Sequence, residues 1–491
     1  MKWRNAIVHH IRRWLQIDPD THTHTQAIRE MYTHEEEIMC HRLWYRGDAD
    51  ELQQFYRHSR ADGACASRFW SAVPIGETVR KIHSGLPAKI VDTLAGIVLS
   101  DYDGADLDQR EHIDRWEKLQ KQIAFSDVLH TAINETLITG DGAFKISWDT
   151  NQLSHPVLEF YAADRVEYRY CRGVLTGIAF FTDYIGERGA TYQLEELYEW
   201  GKISYTLYDT DGKAVKLDKV TQLKTLRNVE LPPDMMAAIP VRFFKNSRWP
   251  QRGGSIFAGK TDVFDAHDEV VSQWMDAIRC GRVQKYIPES MIPRDPRNGR
   301  FLPVDDFGNK FVQVRGNGDE DHPAKIETVQ PDIRYEAFLQ TYSSTLDMCL
   351  QGILSPATLG INVSAVASGA SQRERKDITG FTRNQITGKL EEIIPAVITL
   401  LLQVDDWINR RTIGEYHPDV SFGEYAAPDF STRATTVQAA AGSGIMSIEA
   451  QVEELWGSSK DDDWKAKEVR RIKFEKGIEV VDEPSGKDDL P

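Results

Sequence analysis

GSIFAGKTDVFDAHDEV, residues Gly254 to Val270, satisfies G-x-x-x-x-G-K-[ST] through Gly254, Gly259, Lys260 and Thr261. That is the spacing of a loop that cradles nucleotide phosphates. Such a loop joins a buried parallel strand directly to a helix, so that backbone N–H groups and the helix dipole converge on the phosphates. Here the nearest apolar strand, VRFF (Val241 to Phe244), is separated from Gly254 by KNSRWPQRG, which contains Pro250. The candidate second nucleotide motif, LLLQVDD (Leu400 to Asp406), has helical rather than strand surroundings. The stretch reads better as a turn before a helix, with a P-loop ATPase kept as the rival.

The helix after the motif has two faces. At 100° per residue, Asp262, Asp265, Glu269, Ser272 and Asp276 fall within an arc of about 80°. Val263, Phe264, Val270, Val271, Trp274, Met275 and Ile278 lie opposite, with His267 among them. The apolar face predicts packing. The carboxylate line reads equally as an ordinary solvated face or as a wall that many copies bring together.

Working outward, residues 1 to 145 read as mostly helical. One helix is expected from Glu111 to Leu137 on Ile113, Trp116, Leu119, Ile123, Leu129 and Ile133, ended by Gly140-Asp141-Gly142. From about Val157 to Phe244, runs such as VEYRYC, LTGIAFFTDY, YQLEELYEW and ISYTLYD alternate as antiparallel strands do, with turns such as Asp211-Gly212 between them. Downstream of the first helix, KYIPESMIPRDPRNGRFLPVDDFGNKFVQVRGNGDEDHP holds five prolines and four glycines and predicts a small β-rich excursion. A second helix is expected over Ile333 to Ile353, on Tyr335, Phe338, Leu339, Tyr342, Leu346, Cys349, Leu350 and Ile353. A small-residue loop, LGINVSAVASGAS, follows. A long helix from about Gln372 to Arg411 should be kinked rather than ended by Pro395. The last sixty residues read as helical with an acidic tail, DEPSGKDDLP.

Composition narrows the class. At 491 residues two or more structural units are expected. A net charge of −16 argues against a protein coated in nucleic acid. Five scattered cysteines, never in C-x-x-C spacing, argue against a disulfide framework or a zinc site and for a reducing compartment. The opening MKWRNAIVHHIRRWLQ lacks the apolar core of a signal peptide and reads as an amphipathic helix on Trp3, Ile7, Ile11 and Leu15. No window is long and apolar enough to span a membrane. No metal site, cofactor or catalytic constellation is expected, and the chain reads as soluble and intracellular.

This order of elements resembles the portal (head-to-tail connector) proteins of tailed bacteriophages, most like those of long-tailed phages of Gram-positive bacteria. The stretches that carry the resemblance are WYRGDADELQQFY, LITGDGAFKISWD, AADRVEYRY, and IPVRFFKNS leading into GKTDVFDAHDEVVSQWMDAI. Beyond these come ILSPATLGINVSAVASGASQRERKDI, then GIMSIEAQVEELWG with DDDW and EVRRIKFEKG. The resemblance covers nearly the whole chain in the same order. It implies an α+β fold with a β-rich and helical wing over residues 1–255 and stem helices over 256–282 and 331–353. It also implies a clip over 283–330, a tunnel loop over 354–370, a long kinked helix and wing return over 371–432, and a crown and acidic tail over 433–491.

The resemblance further implies a non-enzymatic ring, usually dodecameric, at one capsid vertex of a virion assembled in the host cytoplasm. Double-stranded DNA is packaged and ejected through its axis. Implied partners are other copies of the chain, the terminase large subunit, a head-completion adaptor, scaffold and the major capsid protein. Asp262, Asp265, Glu269 and Asp276 would line the DNA channel. Gly360, Ser364, Ala367, Ser368 and Gly369 would form the tunnel loop, and Arg294, Arg297 and Arg300 would serve clip docking. The clip is basic at its start (Arg282, Lys285, Arg294, Arg297, Arg300) and acidic at its end (GDEDH), which suits a motor, an adaptor, or both. Relatives often carry G-K-S-D where this chain has Gly259-Lys260-Thr261-Asp262, so the P-loop match is expected to reflect helix capping and turn chemistry. A minor structural head protein is the remaining alternative.

Overall fold

The computed structural model describes residues 33–61, 69–72, 79–149, 153–186, 189–281, 284–288, 297, 310–314, 327–329, 332–361, 369–423, 430–457 and 460–477. The expected helix on Trp3, Ile7, Ile11 and Leu15 lies outside them. The chain divides into two compact units, residues 1–423 and 424–491.

The first unit opens with α1 (His34–Arg46), whose ends the sequence specifies closely. Thr33 and Glu36 form a capping box, acidic residues fill the first turn, and Gly47 takes a left-handed φ of 71° to stop it. Then come α2 (Ala49–Ala61), α3 (Leu86–Ser100) and β1 (Tyr102–Asp106). The single helix expected from Glu111 to Leu137 is two, α4 (Arg110–Gln122) and α5 (Phe125–Thr139). Between them Ala124 sits at φ 49°. An alanine there strains the backbone by about 1–2 kcal/mol, and the turn lets both Ile123 and Phe125 reach the core. No glycine or proline marks it in the sequence.

The strands form antiparallel layers. β2 (Asp141–Ser147) is central in a three-stranded sheet, between β3 (Val157–Ala162) and a later strand. A six-stranded sheet follows from β4 (Val166–Cys171), β5 (Val174–Ile185), β6 (Thr191–Glu199), β7 (Lys202–Asp209), β8 (Ala214–Val215) and β9 (Val229–Glu230). The Asp211-Gly212 turn closes the β7–β8 hairpin, with Gly212 at φ 73° and the Asp209 carboxylate accepting from the backbone N–H of Asp211 and Lys213. β10 (Ala238–Arg242) completes the three-stranded sheet, and β11 (Phe244–Lys245) pairs antiparallel with β12 (Gly253–Gly254).

The motif helix is α6 (Thr261–Cys280). The excursion holds β13 (Gln284–Pro288), β14 (Lys310–Val314) and β15 (Glu327–Val329), a mixed sheet with β13 in the middle, parallel to β14 and antiparallel to β15. α7 (Tyr335–Leu350) is shorter at both ends than its periodicity suggested. The long helix α8 (Gly369–Ile408) runs through Pro395, as its resumed apolar spacing predicts. β16 (Asp419–Phe422) returns to pair with β1.

Segregated helices and mainly antiparallel sheets make the chain α+β. One continuous core unites Trp44, Trp70, Trp116, Phe144, Phe180, Phe257 and Phe264 with the inner face of α8, including Ile394, Val397 and Leu401. The second unit contains α9 (Phe430–Gly442), α10 (Ile448–Trp456) and α11 (Asp462–Glu475). Its α10 and α11 are capped by Ser447 and Asp461, each accepting from the backbone N–H three residues on.

Candidate functional site

α6 and α7 lie antiparallel. At one end the Lys260 ammonium donates to the carbonyls of Met348 (2.9 Å) and Gln351 (2.8 Å), the last turn of α7. Midway, His267 Nδ1 is 2.9 Å from Thr345 Oγ1, and its ring tilts against Tyr342 at 5.0 Å. Further on, Trp274 stacks on Phe338 with planes 6° apart and centroids 6.1 Å apart. At the far end Gly281 passes so close to Ile333 that a Cβ would lie 2.6 Å from its side chain. α6 and α7 therefore touch along their length, from Lys260 to Gly281.

The same contacts explain the P-loop spacing. Gly254 is in an antiparallel ladder, where a Cβ would sit 2.7 Å from the Lys245 carbonyl oxygen. Its glycine serves close backbone approach rather than phosphate binding. Gly253 donates to the buried Asp141 carboxylate at 2.6 Å, and Arg252 ion-pairs with that carboxylate at 2.9 Å. Burial pushes the Asp141 carboxyl above its ordinary range against the pull of Arg252. The expected helix cap is not there: Lys260 is the N-cap residue and no side chain caps α6. The lysine instead neutralises the negative end of its neighbour's dipole. At the second motif, Asp405 and Asp406 share Arg115 at 2.9 Å each, Arg411 approaches Asp405 at 2.7 Å, and the Tyr416 hydroxyl donates to Asp406 at 2.5 Å. Those carboxylates are occupied.

One member of the carboxylate line must be corrected. Asp265 is 7% exposed, and its carboxylate accepts from the backbone N–H of Phe69 (3.3 Å) and Trp70 (3.4 Å). Three and seven residues on, Asp268 and Ser272 do the same for the next strand of chain. Asp268 accepts from the Ser84 N–H at 2.9 Å and Ser272 from the Ile82 N–H at 2.9 Å. This i, i+3, i+7 ladder binds α6 to residues 69–72 and 79–85. His83 completes it, with Nδ1 3.0 Å from the fully buried Asp268 carboxylate and Nε2 3.1 Å from the Trp44 carbonyl. Burial works against charge on this imidazole, but Asp268 and the Trp44 carbonyl outweigh it, and the pKa is raised above 6.5. No residue pattern signals this ladder, because its partners are backbone amides.

The other three carboxylates are separate. Asp262 is exposed, while Glu269 and Asp276 are partly so, and they stand seven residues apart on one line. Glu269 accepts from the Gln273 amide at 2.8 Å, and Asp276 lies 3.7 Å from the Cys280 thiol. The apolar face also needs correction. Phe264 is buried, but Met275 and Ile278 are 53% and 47% exposed. The ladder reaches only as far as Ser272; beyond it Trp274 still lies against Phe338, while Met275 and Ile278 have no cover among the described residues.

After α7 the chain is packed rather than loose. Ile353, Leu354, Ser355 and Pro356 are buried. Thr379 of α8 accepts from the Ser355 N–H at 2.9 Å and bonds the Thr358 hydroxyl at 3.1 Å. The first residues of the tunnel loop implied over 354–370 are thus packed, ahead of the small-residue stretch that starts at Leu359. Gly360, at φ 69°, closes the short turn Pro356–Leu359, and Gly369 is the first residue of α8. Ser364, Ala367 and Ser368 lie outside the described residues, as do Arg294 and Arg300. Arg297 is exposed in a turn.

Cys171, Cys280 and Cys349 are free thiols. Among the described residues no group of His, Cys, Asp or Glu is placed to hold a metal ion, and no helix is long and apolar enough to cross a membrane.

No protein-family model and no curated protein matches the chain. Similar solved structures come from gene transfer agent particles. A chain of the native virion is 11% identical, covering 73% of this chain and 85% of its own, with a TM-score of 0.35. A chain of the native particle's neck, computed with C12 symmetry, is 9% identical, covering 79% and 90%, at 0.36. One from the neck of the empty particle, computed with C6 symmetry, is 11% identical, covering 76% and 90%, at 0.37. Scores this low do not establish a shared fold.

Proposed function

We propose that this chain is the subunit of a portal ring, a non-enzymatic channel at one capsid vertex of a phage-type virion through which double-stranded DNA is packaged and ejected. The observation that carries the reading is the antiparallel α6–α7 pair. It is pinned to the body at its base, separated in sequence by a small mixed sheet, and followed by a 40-residue helix. The α6 surface beyond Ser272, with Met275 and Ile278 uncovered, suits burial against neighbouring copies. The line Asp262, Glu269 and Asp276 would then face the bore, where carboxylates repel phosphates and keep the duplex sliding.

In this reading the excursion between α6 and α7 receives the terminase large subunit and a head-completion adaptor, with Arg297 on its surface. Scaffold and major capsid protein meet the body, and ATP hydrolysis belongs to the terminase. The P-loop rival is disfavoured because Lys260 is engaged by α7 and its preceding strand pair is antiparallel.

The test is DNA packaged per head by wild type and by Asp262→Lys/Glu269→Lys/Asp276→Lys at two ionic strengths. The variant's wall would offer counterion-releasing contacts to phosphates. Packaging should slow or stall, more at low salt than at high, because screening weakens the attraction. Equal packaging at low salt would place this line away from the DNA.

A further inference from the structure

The second unit holds a surface of opposite character to the acidic chain around it. On α11, Lys467, Arg470, Arg471 and Phe474 fall at i, i+3, i+4 and i+7, a single helix face, and all four are exposed, Phe474 by 86%. The other flank of α11 packs on α10. There Trp464 meets Trp456 edge-on at 5.5 Å, Lys465 pairs with Glu453 at 3.0 Å, and Lys473 pairs with Glu449. The inner cations thus have carboxylate partners. On the outer face Arg471 is shared with Glu468 (3.6 Å) and Glu475 (3.2 Å) on its own helix. Among the described residues Lys467, Arg470 and Lys476 have no ion-pair partner.

We infer that this face of α11 is a nucleic-acid contact surface that takes the phosphate backbone of duplex DNA; the choice of DNA as occupant rests on the portal reading. Cations near a helix C-terminus are favoured by its dipole, and that alone would account for a solvated basic end. It does not account for a phenylalanine left bare in their midst. Side chains three and four residues apart stand ~5–6 Å from one another, so one face can meet successive phosphates while the ring excludes water between them. With a net charge of −16 the rest of the chain disfavours the duplex, so the contact is local and its salt dependence small in slope.

The experiment is fluorescence anisotropy of a short labelled duplex with the full-length protein across a salt series. Three phosphate contacts give a slope of log K against log salt of about −3. Lys467→Glu/Arg470→Glu should weaken binding by about tenfold or more and reduce that slope by about 2. Phe474→Ala should weaken binding with the slope unchanged. These residues are exposed, and unchanged melting curves would verify that the variants fold. Equal affinity and slope for wild type and the double variant, or no binding by wild type at low salt, overturns the assignment. So does tighter binding of poly-glutamate than of duplex, which would make the occupant an acidic protein surface. Duplex binding by a protein that forms no ring would count against the portal reading and leave this surface standing; rings that bind no duplex would do the reverse.

Discussion

Two residues show how little a side chain's identity says without its neighbours. Lys260 sits where a P-loop lysine would, yet its ammonium donates to two carbonyls at the end of α7. Lys260→Met should leave no nucleotide turnover to lose, because none is expected, and should cost about 1 kcal/mol of stability as two partly exposed charged hydrogen bonds go. Turnover in the wild type that vanishes in this variant would restore the ATPase reading. His83 gives a pH signature. Its pKa is raised in the fold, so its contribution is fully present below the ordinary histidine value and is lost as pH rises through the folded one. Buried His267 and His41 are shifted down and weigh in the opposite direction, against acid. The measurement is therefore a difference: the melting temperature of wild type minus that of His83→Gln, expected to be largest below the ordinary histidine pKa of about 6.5 and to shrink as pH rises through the raised folded value. A constant difference would mean that His83 is not charged in its contact with Asp268.

At the scale of elements, what was legible in the sequence is what is local. Alternation in VEYRYC and ISYTLYD gave the antiparallel strands, and i, i+3, i+4 spacing gave α6, α7 and α8, because each pattern records which side of one element faces the core. Asp265 could not be read that way: its partners at residues 69 and 70 are nearly 200 positions away and are backbone groups with no sequence signature. The anchored turn after α7 escaped for the same reason, and the break at Ala124 because no glycine or proline marks its left-handed backbone. The α6–α7 seam is testable through Trp274, which is only partly buried although it stacks on Phe338. Trp274→Ala should cost about 1–3 kcal/mol, below the full range for a core aromatic. Thr379→Val keeps the shape of the side chain but strands the buried Ser355 N–H, at a cost of about 1–3 kcal/mol. Hydrogen exchange should rise at Ser355 first. An unchanged Ser355 amide would show that another group holds the turn.

For the whole molecule, three α6 side chains fix the base of that helix to backbone amides of the body, while Met275 and Ile278 in its distal half stay uncovered, an arrangement that gains purpose only when copies surround it. The exposed carboxylate line has the same logic: on one chain it is a solvated face, and in a closed ring it becomes a field that no single helix creates. Both features are carried by the claim that the chain closes into a ring around an open axis. Negative-stain imaging of the purified full-length protein tests that claim most directly. Closed rings with a central opening wide enough for a B-form duplex, persisting in Lys260→Met, are the expected result. Monomers or solid assemblies with no axial opening, at concentrations where the protein is folded, would contradict it.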